Sequence, residues 1–276
     1  MTARVIAVAN HKGGVGKTTT ALHLAAALAE LDAAVLAIDL DPQGCLGFAL
    51  GLEPGAGGPT LRDVLVEGRA LSEVVVLGEE VDLVPAEMDL SGAELALLSR
   101  PRRESLLRDA LEEVADSYDA VVIDCPPSLG VLTVNGLTAA DDVVVPVLCE
   151  ALARRGVAQL LRTVEDVRRL TNPGLAVRGI VATRFDGRSV HAREVLRTLV
   201  DEVGLPLVGA PVRTSVRFAE APERGRSLVA AHCPGGPPGL AAYRAVAREL
   251  VGLPVDEDLL AAAGWDRATR RGVLGA

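Results

Sequence analysis

Residues 13–19, Gly-Gly-Val-Gly-Lys-Thr-Thr, stand between a short apolar run at 4–9 and a stretch at 18–31 whose apolar residues Leu22, Ala25, Leu28 and Ala29 recur at helical spacing. A second apolar run follows at 33–38, so the order is strand, glycine loop, helix, strand, a βαβ unit with a right-handed crossover. A glycine-rich loop in that position lets backbone N–H groups close around phosphate oxygens, with the positive end of the helix behind them. The spacing assigns Gly13, Gly14, Val15, Gly16 and Thr19 to a phosphate cradle, Lys17 to the β- and γ-phosphates and the Thr18 hydroxyl to Mg²⁺.

The same alternation continues down the chain. Strand-like runs at 81–85, 120–123, 143–147 and 177–183 are separated by helical patterns at 102–115, 131–139, 152–170 and 190–203. The runs at 120–123 and 143–147 are apolar throughout, as strands covered on both faces are. The predicted fold class is α/β: a doubly wound, mostly parallel twisted sheet with helices on both faces. Glycine- and proline-rich stretches at 51–59 and 234–239 read as loops within one domain, and a helix at 239–250 closes it. The predicted organisation is one P-loop domain over 1–251 and a short C-terminal tail over 252–276.

Composition narrows the function classes. Twenty-eight basic residues against 37 acidic ones give a net charge of −9, so nucleic-acid contact requires a local patch. Aromatic residues make up 2% of the chain, too few for a single-strand stacking platform. Cys45, Cys125, Cys149 and Cys233 form no CxxC pair and have no histidine cluster beside them, which argues against a zinc site or a disulfide framework and fits a reducing cytoplasm. The N-terminal apolar run is too short for a signal peptide or a membrane span. The only two lysines in the chain are Lys12 and Lys17, both in the glycine loop; every other basic residue is arginine. A compact, flexible ammonium has been kept where it differs usefully from a planar fork.

Two further signatures follow in order. Asp39-Leu40-Asp41-Pro42-Gln43-Gly44 ends the second strand, and two carboxylates at i and i+2 can share one side of an extended segment. Ala120-Val121-Val122-Ile123-Asp124 is an apolar strand delivering one Asp at its C-terminal end, the Walker B arrangement, with Asp124 holding Mg²⁺ through its water shell.

The loop departs from the ordinary G-x-x-x-x-G-K-T because residue 11 is His and Lys12 precedes Gly13. K-G-G-V-G-K-T resembles the deviant Walker A motif of the ParA/MinD ATPases, and over residues 3 to about 251 the chain is most similar to the ParA/Soj partitioning group. D-L-D-P-Q-G, I-D-x-P-P-S, F-D-G-R and S-V-R-F-A-E-A-P carry that likeness. The resemblance implies an ATPase with ATP and Mg²⁺ as cofactors, in which Lys12 reaches across a homodimer to the partner's nucleotide, Asp41 positions the attacking water and Asp39 lies near the Mg²⁺ shell. It further implies non-specific binding of double-stranded DNA by the ATP-bound dimer, release through a ParB-type partner that stimulates slow hydrolysis, a nucleoid-associated cytoplasmic location and no membrane attachment.

Residues 184–226 hold eight arginines against six acids, a net +2 in an acidic chain. The resemblance gives Arg188 and Arg217 contacts to DNA phosphates, with Arg193 and Arg197 as weaker candidates, and places Arg184 near the adenine, with Pro211 to Arg213 lining the same pocket. Backbone-only contacts of that kind are salt-dependent and blind to sequence. Glu150-Ala151-Leu152 and Arg213-Thr214-Ser215 depart from the group's pattern at the partner surface. Competing expectations are a MinD-like membrane cycle using the tail at 259–271, an orphan ParA-like scaffold that positions another cargo, a cluster-bearing redox ATPase, which Cys125 alone does not support, and a P-loop ligase, for which no small-molecule pocket is evident.

Overall fold

The computed structural model describes residues 3–53, 55, 57–230 and 236–274. Six strands form one sheet in the order β3-β2-β4-β1-β5-β6: β1 (Arg4–Val8), β2 (Val35–Asp39), β3 (Asp82–Val84), β4 (Ala120–Asp124), β5 (Asp142–Leu148) and β6 (Ala176–Thr183). Every pairing among them is parallel, and β2, β4 and β5 are buried along their whole length. Parallel strands need helices on both faces, which explains their continuous Val, Ile and Leu runs.

The chain enters at the centre with β1, winds outward through β2 and β3, returns to β4, and then crosses to β5 and β6 on the other side. The direction of winding reverses at β1. In open parallel sheets the crevice at such a point, beyond the strands' carboxyl ends, is where ligands bind. The glycine loop lies there, followed by α1 (Lys17–Ala29). From Thr20 to Leu28 every residue of α1 is buried, and α9 (Pro238–Leu250) packs along it.

The remaining helices are α2 (Cys45–Ala49), α3 (Leu90–Leu98), α4 (Leu106–Leu111), α5 (Val131–Ala139), α6 (Ala153–Leu170), α7 (Val190–Asp201), α8 (Arg217–Glu220), α10 (Glu257–Ala262) and α11 (Arg267–Leu274). The helix predicted over 102–115 is cut to the six residues of α4. Arg102 is left-handed (φ 56°), and the Asn135 side chain accepts from the Leu107 N–H and donates to the Arg103 carbonyl, replacing helical partners at that end. Helices α2 and α3 carry too few residues of clear periodicity to be read from sequence. The loop predicted at 51–59 is borne out where described, with Pro54 and Ala56 outside the described residues. Of the loop predicted at 234–239, Pro234 and Gly235 lie outside them and Pro238 already begins α9, as does Cys233 lie outside them.

The segment beyond 251 is two helices, and its Leu260, Trp265 and Val273 belong to the same buried cluster as the sheet. Helix α6 shows how the outer layer is held: Val157, Leu160, Val164 and Val167 recur at three- and four-residue spacing and face inward, while its arginines face out. Leu160 is fully buried. Leu160→Ala is expected to lower unfolding free energy by about 2–5 kcal/mol in urea titration. A loss well under 1 kcal/mol would mean that α6 is not packed as described.

Candidate functional site

The phosphate loop is anchored at its start by Asn10, buried at the end of β1, whose Nδ2 donates to the Pro146 carbonyl (2.7 Å) while its Oδ1 accepts the Lys12 N–H (3.1 Å). Gly14 and Gly16 have φ of 73° and 84°, a left-handed curl that a side chain would strain. No side chain caps α1 at Gly16, so the first-turn N–H groups stay available to an anion. The Thr183 hydroxyl, at the end of β6, lies 2.7 Å from the Val15 carbonyl and 3.1 Å from that of Val147, tying the loop to β5 and β6. Only its place after an apolar run could have pointed to Thr183.

Asp124 and Asp39 stand opposite one another at the ends of β4 and β2, both fully buried. Neither Asp124 oxygen has a hydrogen-bond partner of standard geometry among the described residues. Burial pushes its pKa up to about 7, opposed by the Thr18 hydroxyl and the Lys17 ammonium. Burial likewise draws the Lys17 pKa down, against the pull of Asp124 and Asp41. A dry, unpartnered carboxylate facing a threonine hydroxyl is a fitting half-site for a hard divalent cation. Among the described residues no group of three or more His, Cys, Asp or Glu side chains is placed to hold a metal alone. An ion here would complete its shell with phosphate oxygens and water.

Asp39 stands beside Asp124, on the side where it is expected near the Mg²⁺ shell, and backbone amides hold its carboxylate. Its Oδ1 accepts the Asp41 N–H (3.1 Å), and its Oδ2 accepts those of Leu46 and Gly47 (2.9 and 3.1 Å). Asp39 therefore ties down the loop that presents Asp41 and the start of α2. Burial and the Asp124 charge raise its pKa well above the carboxylate range, while the Gly47 and Asp41 amides oppose them. Asp41 accepts the Gln43 N–H at Oδ1 (3.0 Å) and lines the cleft beside the phosphate loop.

Lys12 does not enter its own cradle. Its Nζ lies 2.6 Å from Glu150 Oε2, at the end of β5, with both side chains partly exposed. This contact, ahead of its charge attraction to Lys12 and Arg184, holds the Glu150 carboxyl below the usual range. Lys17, by contrast, folds back over the loop with its Nζ 3.5 Å from the Lys12 carbonyl.

From Gly13, Gly14 and Thr18 a cavity of about 540 Å³ runs to Arg184 and Arg213. Val212 to Ser215 line it, so Val212 and Arg213 of the expected stretch 211–213 face the cavity, while the buried Pro211 does not. Arg184 is exposed and left-handed (φ 47°). Also lining the cavity are His23, Phe218 and Tyr243, none of which sequence spacing singled out. His23 stacks on Tyr243 (centroids 5.3 Å, 20°) and meets Phe218 edge-on (4.9 Å, 79°). It is fully buried, with Nδ1 2.8 Å from the Thr19 carbonyl and Nε2 accepting the Leu228 N–H (3.3 Å). Both bonds require the neutral ring protonated at Nδ1.

The loops at 184–188 and 211–217 run side by side, joined by the Phe185 N–H to the Val212 carbonyl (2.9 Å). Arg188 and Arg217 are exposed on them, and among the described residues neither side chain has an ion pair or hydrogen bond. Arg193 and Arg197 are used internally: Arg193 donates to the Gly187 carbonyl (2.8 Å) and Arg197 twice to the Val273 carbonyl (3.1 and 2.9 Å).

A family model described as an AAA domain matches residues 3–177. Chromosome partitioning protein ParA of Caulobacter vibrioides is 42% identical over 265 residues, covering 94% of this chain and 98% of the relative. Sporulation initiation inhibitor protein Soj of Bacillus subtilis is 39% identical over 228 residues, covering 82% and 90%. A solved structure from Mycobacterium smegmatis, described as cobyrinic acid a,c-diamide synthase with bound ATP analog and magnesium, is 44% identical with a TM-score of 0.79, covering 90% of this chain and 94% of that one.

Burial lowers the His23 pKa to about 4, against the Thr19 carbonyl, which favours the charged ring. The folded-state value lies below the unfolded value near 6.5, so the stability this ring contributes is complete above pH 6.5 and is lost as pH falls through about 4. The contribution is about 3 kcal/mol. Urea unfolding at a series of pH values is expected to show this decline in the native chain and a flatter profile in His23→Gln; parallel profiles would sink the assignment.

Proposed function

The chain belongs to the ParA/Soj family of ATPases, and from that premise we propose that it is an ATP-dependent dimerising switch that binds double-stranded DNA without sequence preference and drives chromosome or plasmid partitioning with a ParB-type partner. Lys12 carries this reading. Of the two lysines in the phosphate loop, Lys17 folds over the loop itself, while Lys12 turns outward to a surface carboxylate that a phosphate on a second copy can replace.

In this reading Lys17 and the α1 amides bind the β- and γ-phosphates of ATP. Thr18 and Asp124 would hold Mg²⁺, which when bound neutralises charge on the transferred phosphoryl group. Asp41, held by the loop that Asp39 fixes, orients the attacking water. Arg184 and Arg213 bound the base end of the cavity. Lys12 leaves Glu150 for the partner's γ-phosphate, so the dimer lasts until that phosphate is gone. Dimerisation presents two copies of Arg188 and Arg217, and phosphate contacts too weak singly become adequate together. A timer of this kind hydrolyses slowly alone and faster with its partner.

Three alternatives stand beside this reading. A membrane-cycling role needs an exposed apolar face on the tail, but Leu260, Trp265 and Val273 are each at most 6% exposed, and no helix among the described residues is long and apolar enough to cross a membrane. The name of the M. smegmatis protein suggests a synthase, which would consume ATP only with a carboxylic-acid co-substrate and would show no ATP-dependent hold on DNA. An orphan scaffold would share the switch and differ only in cargo.

Light scattering after size exclusion is expected to show Lys12→Ala binding ATP yet staying monomeric. In Glu150→Gln, where Lys12 has lost its surface partner, the ATP concentration for half-dimerisation is expected to fall about two- to fivefold. A Lys12→Ala protein that dimerises normally would remove the trans role. On a random-sequence duplex, binding is expected to require ATP, to weaken steeply with salt, to persist in Asp41→Ala and to be lost in Arg217→Glu. Equal affinity with ADP and ATP would overturn the switch.

A further inference from the structure

One wall of the cavity is made by two segments outside the six-stranded sheet: Arg184 just past β6, followed by the buried Phe185, and residues 212–215 beside it. A wall that reads a base needs support from behind, and that support comes from the C-terminal helices. Helix α10 is closed at both ends: Asp256 accepts the Leu259 N–H (2.7 Å), and the last turn ends at left-handed Gly264 (φ 72°), with the Trp265 N–H returning to the Leu260 carbonyl (2.7 Å). This closing motif leaves little freedom in where residue 265 goes. Trp265 is 3% exposed and meets Phe185 edge-on, with centroids 6.4 Å apart at 87°. At the same turn, Arg213 Nη2 donates to the Gly264 carbonyl (3.0 Å), so a residue lining the cavity is held by the tail directly.

The far end of the tail is fixed as well. Arg197 of α7 binds the Val273 carbonyl of α11, and Glu257 of α10 reaches Arg270 of α11 (2.6 Å). These contacts make the two helices one unit.

We propose that residues 256–274 form a buttress for the base-binding wall, with Trp265 as a positioning residue that sets Phe185, Arg184 and Arg213 for the nucleotide base. The proposal rests on the reading that the cavity holds ATP. The tail then governs how the base is gripped and leaves the phosphate end to the glycine loop.

Trp265 is the only tryptophan in the chain, so the unmodified protein carries its own probe at this contact. With Mg²⁺ present, ATP is expected to shift or quench its emission, and inorganic tripolyphosphate, which fills the phosphate end alone, is expected to leave it unchanged. Calorimetry gives the affinities of both ligands for the native chain, Trp265→Ala and Trp265→Phe. ATP is expected to bind about tenfold more weakly to Trp265→Ala, the size of a lost cation–π or stacking contact, with tripolyphosphate unaffected and Trp265→Phe close to native. Equal weakening of both ligands would overturn the proposal, as would ATP bound without any change in emission. Failure of the native chain to bind ATP at all would instead refute the nucleotide reading of the cavity.

Discussion

A carboxylate buried away from water costs several kcal/mol in its charged form unless it is well partnered, and Asp124, with no hydrogen bond of standard geometry among the described residues, is placed close to that condition at the centre of the sheet. The rest of the site can be understood as arranged around that cost. The sheet reverses its winding at β1, next to β4, so the opened crevice, the glycine loop and the unpartnered carboxylate fall together. Lys17 and the Thr18 hydroxyl are the groups in this chain that favour the charged form of Asp124, and both come from the first turn of α1.

The second carboxylate shows how the same surroundings give different roles. Asp39 is as deeply buried as its neighbour, yet its oxygens are met by three backbone amides, so it acts through the loop it holds. Asp41, two residues on, is left at the edge of the cleft. Alternate residues of a strand end share a side, but which of them faces the ligand is decided by where the chain turns next. That turn is set by backbone donors that sequence spacing does not reveal.

Much of the fold was legible because parallel strands buried on both faces leave unbroken apolar runs, as in Ala120 to Ile123 and Val143 to Val147. The phosphate loop was legible for a related reason: its backbone conformation demands glycine, and its chemistry demands lysine and threonine at set positions. What escaped was built from long-range contacts. His23, Thr183 and Tyr243 belong to three distant segments that only folding brings to one cavity. Arg193 and Arg197 looked like surface charge in a basic stretch, but their partners are backbone carbonyls, one of them in α11. Of Pro211 to Arg213, expected together at the pocket, Val212 and Arg213 line the cavity.

The pairing of Lys12 with Glu150 has a consequence for the chain's chemistry as a whole. Lysine occurs at only two positions, and Lys17 is 7% exposed, so the amine of Lys12 is the one lysine side chain open to solvent. Among side-chain amines, acylating reagents, whether metabolic thioesters or laboratory labels, would find their target in Lys12, the residue proposed to cross between subunits. On the proposed function, acylation of this nitrogen would remove the charge meant for the partner's phosphate, and a docked second copy would shield it.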